Sequence, residues 1–266
     1  MDSRAGNDVW AAGKLYEPYV GRWSRLVARE FLDWLAIPPG KDWLDVGCGT
    51  GALSQTLIER CNPASVTGVD PSAAFIEHAK AHVRGPVRFV VGDAQSLPID
   101  AACSDAAVSG LVLNFVPRPQ AALAEMVRAV RPGGIVAAYV WDYAGRMELM
   151  RYFWDAAARL DSAAAPLDEG LRFPLCAPAP LAELFGGAGL LRVEGREIEV
   201  PTRFQDFDDY WSPFLGGQGP APGYAMSLDE PRRAALRELI RSRLPIAADG
   251  SISLVARAWA VRGARP

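Results

Sequence analysis

The segment Leu44–Gly51, with the sequence LDVGCGTG, constrains the fold of this chain more than any other segment. An apolar run through Trp43, Leu44 and Val46 ends in three glycines at alternate positions. Glycine at such positions permits positive φ angles and a close approach of the backbone to a ligand. The pattern predicts a buried strand, a loop whose backbone amides face a ligand, and a helix over Ala52–Arg60 whose N-terminus points into that loop. Such an arrangement is typical of a nucleotide-binding site.

Strand and helix patterns alternate from Lys41 to Asp142, which predicts a parallel sheet with right-handed crossovers. Two later apolar runs, at Leu191–Val200 and Ile252–Val261, predict two further strands with helical segments between them. The fold class is therefore α/β, with a Rossmann-like, mostly parallel sheet, helices on both faces and helical lid insertions. We expect an N-terminal helical cap over residues 1–40 and a cofactor-binding domain over residues 41–266, with lid insertions at about 144–180 and 203–245.

Local signals set further expectations for the helices. Ser72 is the expected N-cap of the helix after the second strand. Ser227–Glu230 has capping-box spacing before a helix at Pro231–Arg243, and the glycine- and proline-rich residues 216–223 predict a loop before it. Met and aromatic side chains of the insertions are expected to be mostly core, with some lining an acceptor pocket: Met147, Met150, Phe153, Trp154 and Trp211.

Length and composition exclude several classes of protein. With 266 residues, 50% of them hydrophobic, the chain can bury a sizeable core. A net charge of −3 argues against a nucleic-acid partner, which needs a dense basic face. We expect no secretory leader, because the opening residues are polar, and no membrane span, because no apolar run approaches roughly 18 residues. Scattered cysteines fit free thiols in a cytoplasmic protein: Cys48, Cys61, Cys103 and Cys176.

Two classes of cofactor fit the glycine loop. Gly47-x-Gly49-x-x-Ala52 matches the loose pattern of a dinucleotide-binding loop. Asp70 lies 19 residues beyond Gly51, where a ribose-binding acid is expected. The alternative to a dinucleotide is S-adenosylmethionine (SAM).

Three features favour SAM. Asp45 precedes the loop, where a carboxylate repels a pyrophosphate and attracts a sulfonium or an ammonium group, directly or through water. A second acidic turn, Gly92–Pro98, places Asp93 where it can accept from the adenine amino group, with a backbone amide for the adenine ring after it. Only one nucleotide-binding half is visible, because Asp105–Asn114 contains no second glycine-rich phosphate loop.

Five segments of this chain resemble, in order, the motifs of class I SAM-dependent methyltransferases: Leu44–Gly51, Val66–Ser72, Gly92–Pro98, Asp105–Val116 and Val127–Ile135. The resemblance is to the small-molecule type, which includes ubiquinone and menaquinone C-methyltransferases. The resemblance covers about residues 16–142 and implies a seven-stranded sheet with the last strand antiparallel. It also implies SAM as the cofactor and a small molecule as the acceptor. We expect a monomer or a homodimer.

The segment Tyr16–Arg25 resembles one that folds over the cofactor in some of these enzymes. The resemblance implies that Tyr16 covers the methionine end of SAM and that Arg22 or Trp23 meets its carboxylate.

No metal site is predicted, because His78 and His82 share a helix face without a third ligand. The predicted cofactor-binding residues are Tyr16, Arg22, Trp23, Asp45, Gly47, Cys48, Gly49, Gly51, Asp70, Pro71, Ser72, Asp93, Ala94, Gln95, Ser109, Gly110 and Leu111.

Methyl transfer from a sulfonium is an in-line displacement, in which the protein mainly aligns the reactants and excludes water. The acceptor is expected at the edge after the fourth and fifth strands. Ser109–Asn114 differs there from the Asn/Asp-Pro-Pro-Tyr type that grips amide and amino groups, which disfavours nucleic-acid and protein N-methylation. The catalytic residues are unknown. Asp142 and Tyr143 are the nearest candidates for a base, and both are more simply explained as polar groups that close a strand.

The sequence therefore predicts an enzyme that transfers a methyl group from SAM to a small, partly apolar or aromatic acceptor. Two alternatives stay open. An NAD-dependent oxidoreductase fits the glycine pattern, although Asp45 and the missing second half argue against it. A non-catalytic SAM-binding module fits the absence of an evident base.

Overall fold

The strand patterns form a seven-stranded sheet in the computed structural model, which describes residues 21–216 and 219–266. The strands are β1 (Asp42–Val46), β2 (Ser65–Asp70), β3 (Val87–Val91), β4 (Ser104–Gly110), β5 (Val130–Trp141), β6 (Leu191–Phe204) and β7 (Ile252–Ala264). They lie in the order β3-β2-β1-β4-β5-β7-β6, and β7 runs antiparallel to both of its neighbours. This arrangement confirms the predicted α/β class, the seven strands and the antiparallel last strand.

Helices join and surround the strands, as the alternating pattern predicts. The helices are α1 (Arg22–Leu35), α2 (Ala52–Cys61), α3 (Ala73–His82), α4 (Pro119–Ala129), α5 (Glu148–Leu160), α6 (Glu169–Arg172), α7 (Pro178–Gly187), α8 (Phe207–Trp211), α9 (Pro220–Ser227) and α10 (Glu230–Arg243). Short 3-10 turns lie at Leu113–Phe115, Ser162–Leu167 and Ser212–Gly216. Within the described ranges, no helix has the length and apolar character needed to cross a membrane.

The centre of the sheet is buried because β1 is paired on both sides. It pairs in parallel with β2, which places Val46 beside Val69, and with β4, which places Asp45 beside Val108. Val46 and Val108 have no exposed surface. The strand order reverses between β1 and β4, and such a reversal opens a crevice at the carboxyl ends of the strands.

Helix α1 is the described part of the predicted N-terminal cap, and it packs against α2, β6 and β7. Val27 and Phe31 on its inner face are fully buried. The Phe31 ring lies 4.7 Å from the ring of Tyr139 on β5. Helix α1 therefore buries its apolar face against the sheet, while Tyr16 lies outside the described residues.

Two local expectations for the second insertion are wrong. The N-cap of α10 is Asp229, whose carboxylate accepts from a backbone amide of that helix at 2.9 Å, whereas the Ser227 hydroxyl donates to a carbonyl of the preceding helix. Residues 220–227 form α9 where we expect a loop over 216–223, because proline fits the first turn of a helix. Ser72 does cap α3, as predicted.

The two helical insertions pack against each other. Helix α5 from the first insertion contacts α9 and α10 from the second. The ring of Phe153 stacks on that of Phe214 at a centroid distance of 4.5 Å, and the Tyr210 hydroxyl donates to the Leu149 carbonyl at 2.8 Å. The insertions therefore form one helical layer with an aromatic core.

A buried carboxyl group anchors part of this layer. Glu169, at the start of α6, is 3% exposed and accepts a hydrogen bond from the Trp154 indole N–H. Burial raises the pKa of Glu169 to about 8, because the ionised form loses its hydration there. The neighbouring Asp168 forms an ion pair with Arg151 at 2.5 Å. Glu169 is therefore mainly protonated in the folded protein at neutral pH.

Glu169→Gln should change how stability depends on pH. Between a pKa of about 4.5 in the unfolded chain and about 8 in the folded protein, the folded state binds the extra proton. The free energy of unfolding therefore falls as pH rises through that window. Glutamine does not titrate, so the free energy of unfolding of the wild type should fall by roughly 2–4 kcal/mol relative to that of the variant between about pH 5 and about pH 9. Urea unfolding measures this, and a difference that does not change with pH would contradict a buried protonated Glu169.

Candidate active site

A cavity of about 390 Å³ opens at the carboxyl ends of the parallel strands, beside the glycine loop. Segments that follow β1, β2, β3, β4 and β5 meet there, because parallel strands end at the same edge of the sheet. The lining includes most of the predicted site residues: Gly47, Cys48, Gly49, Asp70, Pro71, Ser72, Asp93, Ala94, Gln95, Gly110, Leu111 and Tyr143.

Hydrogen bonds from its own backbone amides tie the glycine loop to the end of β2. The amides of Gly47 and Cys48 both donate to the Val69 carbonyl, at 2.7 and 3.1 Å. The Gly51 amide donates back to the Cys48 carbonyl at 2.8 Å. The expectation that the loop's amides face a ligand is therefore wrong for these three. Amides engaged inside the protein are not free for phosphate oxygens, so the loop forms a shaped wall instead of an anion-binding cradle.

Asp70 lies between the glycine loop and helix α3 and bonds to both. Its Oδ2 accepts from the Gly49 amide at 3.0 Å, and its Oδ1 accepts from the Ser72 amide at 2.9 Å. Burial raises the pKa of Asp70, and the two amide hydrogen bonds oppose that rise. A carboxylate has about four acceptor positions, so Asp70 keeps capacity for hydroxyl groups in the cavity.

The second acidic turn follows β3. The Oδ1 of Asp93 accepts from the Gln95 amide at 2.9 Å, which closes an Asx turn. Asp93 is exposed, whereas the small side chain of Ala94 is buried. The turn thus presents a carboxylate and a short backbone segment to the cavity. Its predicted role, binding of an adenine, stays a prediction.

Asp45 lies behind the loop and is not part of the cavity wall. It is fully buried, with Oδ2 accepting from the Ser54 hydroxyl at 2.6 Å and Oδ1 without a hydrogen-bond partner among the described residues. Burial raises the pKa of Asp45 to about 7; the Ser54 bond opposes this rise and the nearby Asp70 adds to it. Asp45 therefore has no direct contact with the cavity. Burial also raises the pKa of the Cys48 thiol, so this cysteine is a packing residue.

Arg22 and Trp23, predicted at the cofactor carboxylate, do not line the cavity. The Nη1 of Arg22 lies 2.9 Å from the Oδ1 of Asp209. The guanidinium also lies over the rings of Trp23 and Phe204, at 4.3 and 4.7 Å from their centroids. These contacts join α1 to the end of β6 and to the second insertion. Among the described residues, both side chains therefore make structural contacts.

Gly51, Ser109 and Asp142 also lie outside the lining. Gly51 precedes α2 with a φ of +90°, and the Ser109 hydroxyl donates to a carbonyl of β1 at 2.8 Å. Asp142 is 4% exposed, and its two oxygens accept from two backbone amides of the following turn. Its Oδ2 also bonds to Arg257 at 2.8 Å. Asp142 is therefore not a free base, and the simpler explanation, a polar group that closes a strand, describes its contacts.

Sequence reasoning missed Tyr139 and Phe75 of the aromatic lining, whereas it expected Phe115, Trp141 and Tyr143 near the transferred methyl group. Tyr139 and Trp141 lie at the end of β5, and together with Tyr143 they occupy alternate positions that line the cavity. Side chains at alternate positions of a strand share a face, so the spacing to Trp141 and Tyr143 is the signal that could have identified Tyr139. Phe75 on α3 and Phe115 after β4 extend the lining. The Met and aromatic side chains of the insertions are buried, as expected for most of them, and none of the five lines this cavity: Met147, Met150, Phe153, Trp154 and Trp211.

Other candidate sites in the described part of the chain are weaker. It contains no group of three His, Cys, Asp or Glu side chains able to hold a metal ion. A second groove of about 670 Å³ lies along α8, α9 and α10. Its arginines are paired, Arg237 with Asp208 at 2.9 Å and Arg233 with Glu230 at 2.6 Å. The groove shares no residue with the cavity beside the glycine loop. Because most of the predicted site residues line that cavity, the cavity is the candidate active site.

Residues 44–138 match a family model described as a methyltransferase domain. The phthiotriol/phenolphthiotriol dimycocerosates methyltransferase of Mycobacterium tuberculosis is 40% identical over 96 residues, which are 36% of this chain and 36% of that protein. The malonyl-[acyl-carrier protein] O-methyltransferase of Serratia marcescens is 35% identical over 134 residues, which are 50% of this chain and 48% of that protein. The match thus spans about a third to a half of the length of these relatives.

Solved structures share the fold over most of the chain. A putative methyltransferase from an antibiotic biosynthesis pathway of Anabaena variabilis has a TM-score of 0.62 at 20% identity, over 88% of this chain and 96% of that one. Phosphoethanolamine N-methyltransferase 2 of Haemonchus contortus, in complex with SAM, has a TM-score of 0.56 at 15% identity, over 92% and 52%. The chain therefore shares the fold of these solved structures, and its residues 44–138 are similar in sequence to a methyltransferase domain. The finer likeness to ubiquinone and menaquinone C-methyltransferases stays a prediction.

Gly47→Ala should destabilise the protein more than Gly49→Ala. Both glycines have positive φ angles, +76° and +52°, so alanine is strained at either position. A Cβ at Gly47 would lie 2.5 Å from the Val112 side chain, whereas a Cβ at Gly49 would meet nothing within 4 Å. We expect an additional loss of roughly 1–3 kcal/mol for Gly47→Ala. Urea unfolding of both variants measures this difference. Equal losses in the free energy of unfolding would show that the Val112 side chain can move aside without destabilising the protein.

Proposed function

We propose that the protein transfers the methyl group of SAM to a small, partly apolar or aromatic acceptor. The charge pattern of the cavity carries this proposal. Among its described lining residues, the charged side chains are Asp70 and Asp93, without Lys, Arg or His. A pyrophosphate there would meet carboxylates without a counter-ion, and the amides of Gly47 and Cys48 are already engaged. A cofactor with sulfonium and ammonium groups is favoured instead.

The positions of the acidic residues support binding of the adenosyl part of SAM. The free acceptor positions of Asp70 fit ribose hydroxyls, and Asp93 with the backbone at Ala94 fits the edge of an adenine. The glycine loop would face the methionine part, and the charge of Asp45 behind it would stabilise the positive groups of that part. When bound, SAM supplies a methyl group on a sulfonium, and the residues of the cavity orient it and exclude water.

The rest of the cavity suits an acceptor with apolar surface. Val112, Phe115 and Trp141 line it. The Mycobacterium relative is named for phthiotriol and phenolphthiotriol dimycocerosates, and the Serratia relative for malonyl-[acyl-carrier protein], which supports an acceptor other than nucleic acid. Tyr143 is the predicted base candidate that lines the cavity. Free thiols at the four cysteines fit the expected cytoplasmic location. We expect the protein to be a monomer or a homodimer.

Asp70→Asn should weaken SAM binding while Asp100→Asn should not. Asp100 is an exposed carboxylate outside the cavity lining, which makes it a matched control. Loss of charge-assisted hydrogen bonds to the ribose should raise the Kd of SAM at least about tenfold. Calorimetry on the two variants and the wild type measures this.

The same titrations separate the alternatives. NADH that binds the wild type more tightly than S-adenosylhomocysteine would contradict the SAM assignment and favour an oxidoreductase. Equal SAM affinity of Asp70→Asn and the wild type would contradict the role of Asp70. Turnover of labelled SAM with a metabolite extract distinguishes an enzyme from a non-catalytic SAM-binding module.

The affinity for SAM should rise with pH in a way that depends on Asp45. Its pKa of about 7 in the empty protein should fall when a cation occupies the cavity, so SAM binding releases a proton below that pH. The wild type and Asp45→Asn should bind SAM similarly near about pH 5.5, whereas the wild type should bind roughly five- to tenfold more tightly near about pH 8.5. The ratio of the two Kd values cancels the ionisation of SAM itself. A ratio that is constant with pH would contradict the electrostatic role of Asp45.

A further inference from the structure

Phe173 is an aromatic side chain of the first insertion that packs behind the cavity lining. Its ring centroid lies 5.0 Å from that of Phe115 at an interplanar angle of 77°, and 5.8 Å from that of Tyr143. Phe115 and Tyr143 both line the cavity, and they follow different strands, β4 and β5. Phe173 thus joins two lining rings that the chain brings from separate segments.

The strap, which we define as residues 168–173, is held in place by Arg151. The guanidinium donates to the two carboxylate oxygens of Asp168, at 3.1 and 2.5 Å, and to the Tyr143 carbonyl oxygen at 2.9 Å. One side chain therefore fixes the strap and a lining residue together. Gly170 permits this close packing, since a Cβ there would lie 2.7 Å from the Nη1 of Arg151.

The rings beside the strap form a surface without charge. Among the described lining residues, the two carboxylates follow β2 and β3, and the segments after β4 and β5 contribute apolar and aromatic side chains. The guanidinium of Arg172 lies 5.3 Å from the centroid of Phe173 and is outside the lining. An ionised group on an acceptor would lose its hydration here without a counter-ion, whereas a ring would gain roughly 0.5–1.5 kcal/mol beyond its burial.

We propose that the acceptor presents a planar, uncharged ring system to an aromatic wall formed by Phe115 and Tyr143, and that Phe173 and Arg151 are the positioning residues of that wall. The proposal rests on the proposed function and narrows the acceptor class of the same cavity. Phe173 packs edge-to-face on Phe115 and at a tilt of 45° on Tyr143, which restricts the orientation of both wall rings, and Arg151 fixes the backbone of Tyr143. The wall selects for planarity because an offset ring stack needs a flat partner.

Two probes of matched size test the proposal: 2-naphthol, which is planar, and decahydro-2-naphthol, which is saturated and puckered. Their affinities are measured by ligand-observed NMR titration at saturating S-adenosylhomocysteine. The wild type should bind the planar probe roughly three- to tenfold more tightly. Phe115→Leu should bring this ratio to about one, because leucine keeps apolar area without a ring. Phe173→Leu should lower the ratio at least about twofold, although the ring of Phe173 is outside the lining. Phe173→Tyr keeps a ring and should show the wild-type ratio.

Leu171→Ala is the matched control, because Leu171 lies in the same strap and is 69% exposed. It should leave the ratio of the two affinities unchanged. A planar preference that survives Phe115→Leu overturns the proposed acceptor class, and one that survives Phe173→Leu overturns the role of the strap. Unchanged binding of S-adenosylhomocysteine in each variant shows that the cofactor half is intact. A wild type that does not bind S-adenosylhomocysteine contradicts the proposed function itself, which is a different outcome.

Discussion

Two acceptor groups at the end of β2 determine where the glycine loop lies. The Val69 carbonyl accepts from the amides of Gly47 and Cys48, and the Asp70 carboxylate accepts from the amide of Gly49. Because β1 and β2 pair in parallel with Val46 beside Val69, the loop turns across the neighbouring strand as soon as β1 ends. The turn engages the amides that a phosphate-binding loop leaves free. A backbone arrangement, more than any single side chain, thus separates this site from a dinucleotide site.

The electrostatics of the cofactor half follow from that turn. Asp45 stays beneath the loop, fully buried, while Asp70 bonds to the loop and lines the cavity. Ionising Asp45 is costly in the empty protein, because burial removes its hydration and Asp70 is a nearby like charge. A cation in the cavity would offset both costs. We therefore infer that the part of the cavity beside the glycine loop favours a positively charged ligand, although its residues fit a loose dinucleotide pattern in the sequence.

Sequence spacing predicts those parts of the fold that depend on strand ends. Asp70 and Asp93 follow consecutive strands, and parallel strands end at one edge, so their meeting could be predicted without a structure. Arg22 could not be placed in this way, because Asp209, its ion-pair partner, is 187 residues away. The internal bonding of the glycine loop escaped prediction for the same reason, since its acceptor belongs to another strand. Phe173 gave no periodic signal, because it follows a helix of only four residues.

The two halves of the cavity depend on different kinds of interaction. The half beside the glycine loop is held by backbone amides, which donate to the Val69 carbonyl and to the side-chain carboxylate of Asp70. The half beside the strap is held by side chains of the first insertion, Arg151 at the Tyr143 carbonyl and Phe173 at the rings of Phe115 and Tyr143, and therefore changes when those residues change. The sequence match to the methyltransferase domain ends at residue 138, just before Tyr139, so it covers the glycine loop and stops before the first insertion. The residues that distinguish one acceptor from another should therefore be sought in the insertions, where the neutral anchor at Glu169 also makes the strap sensitive to alkaline pH.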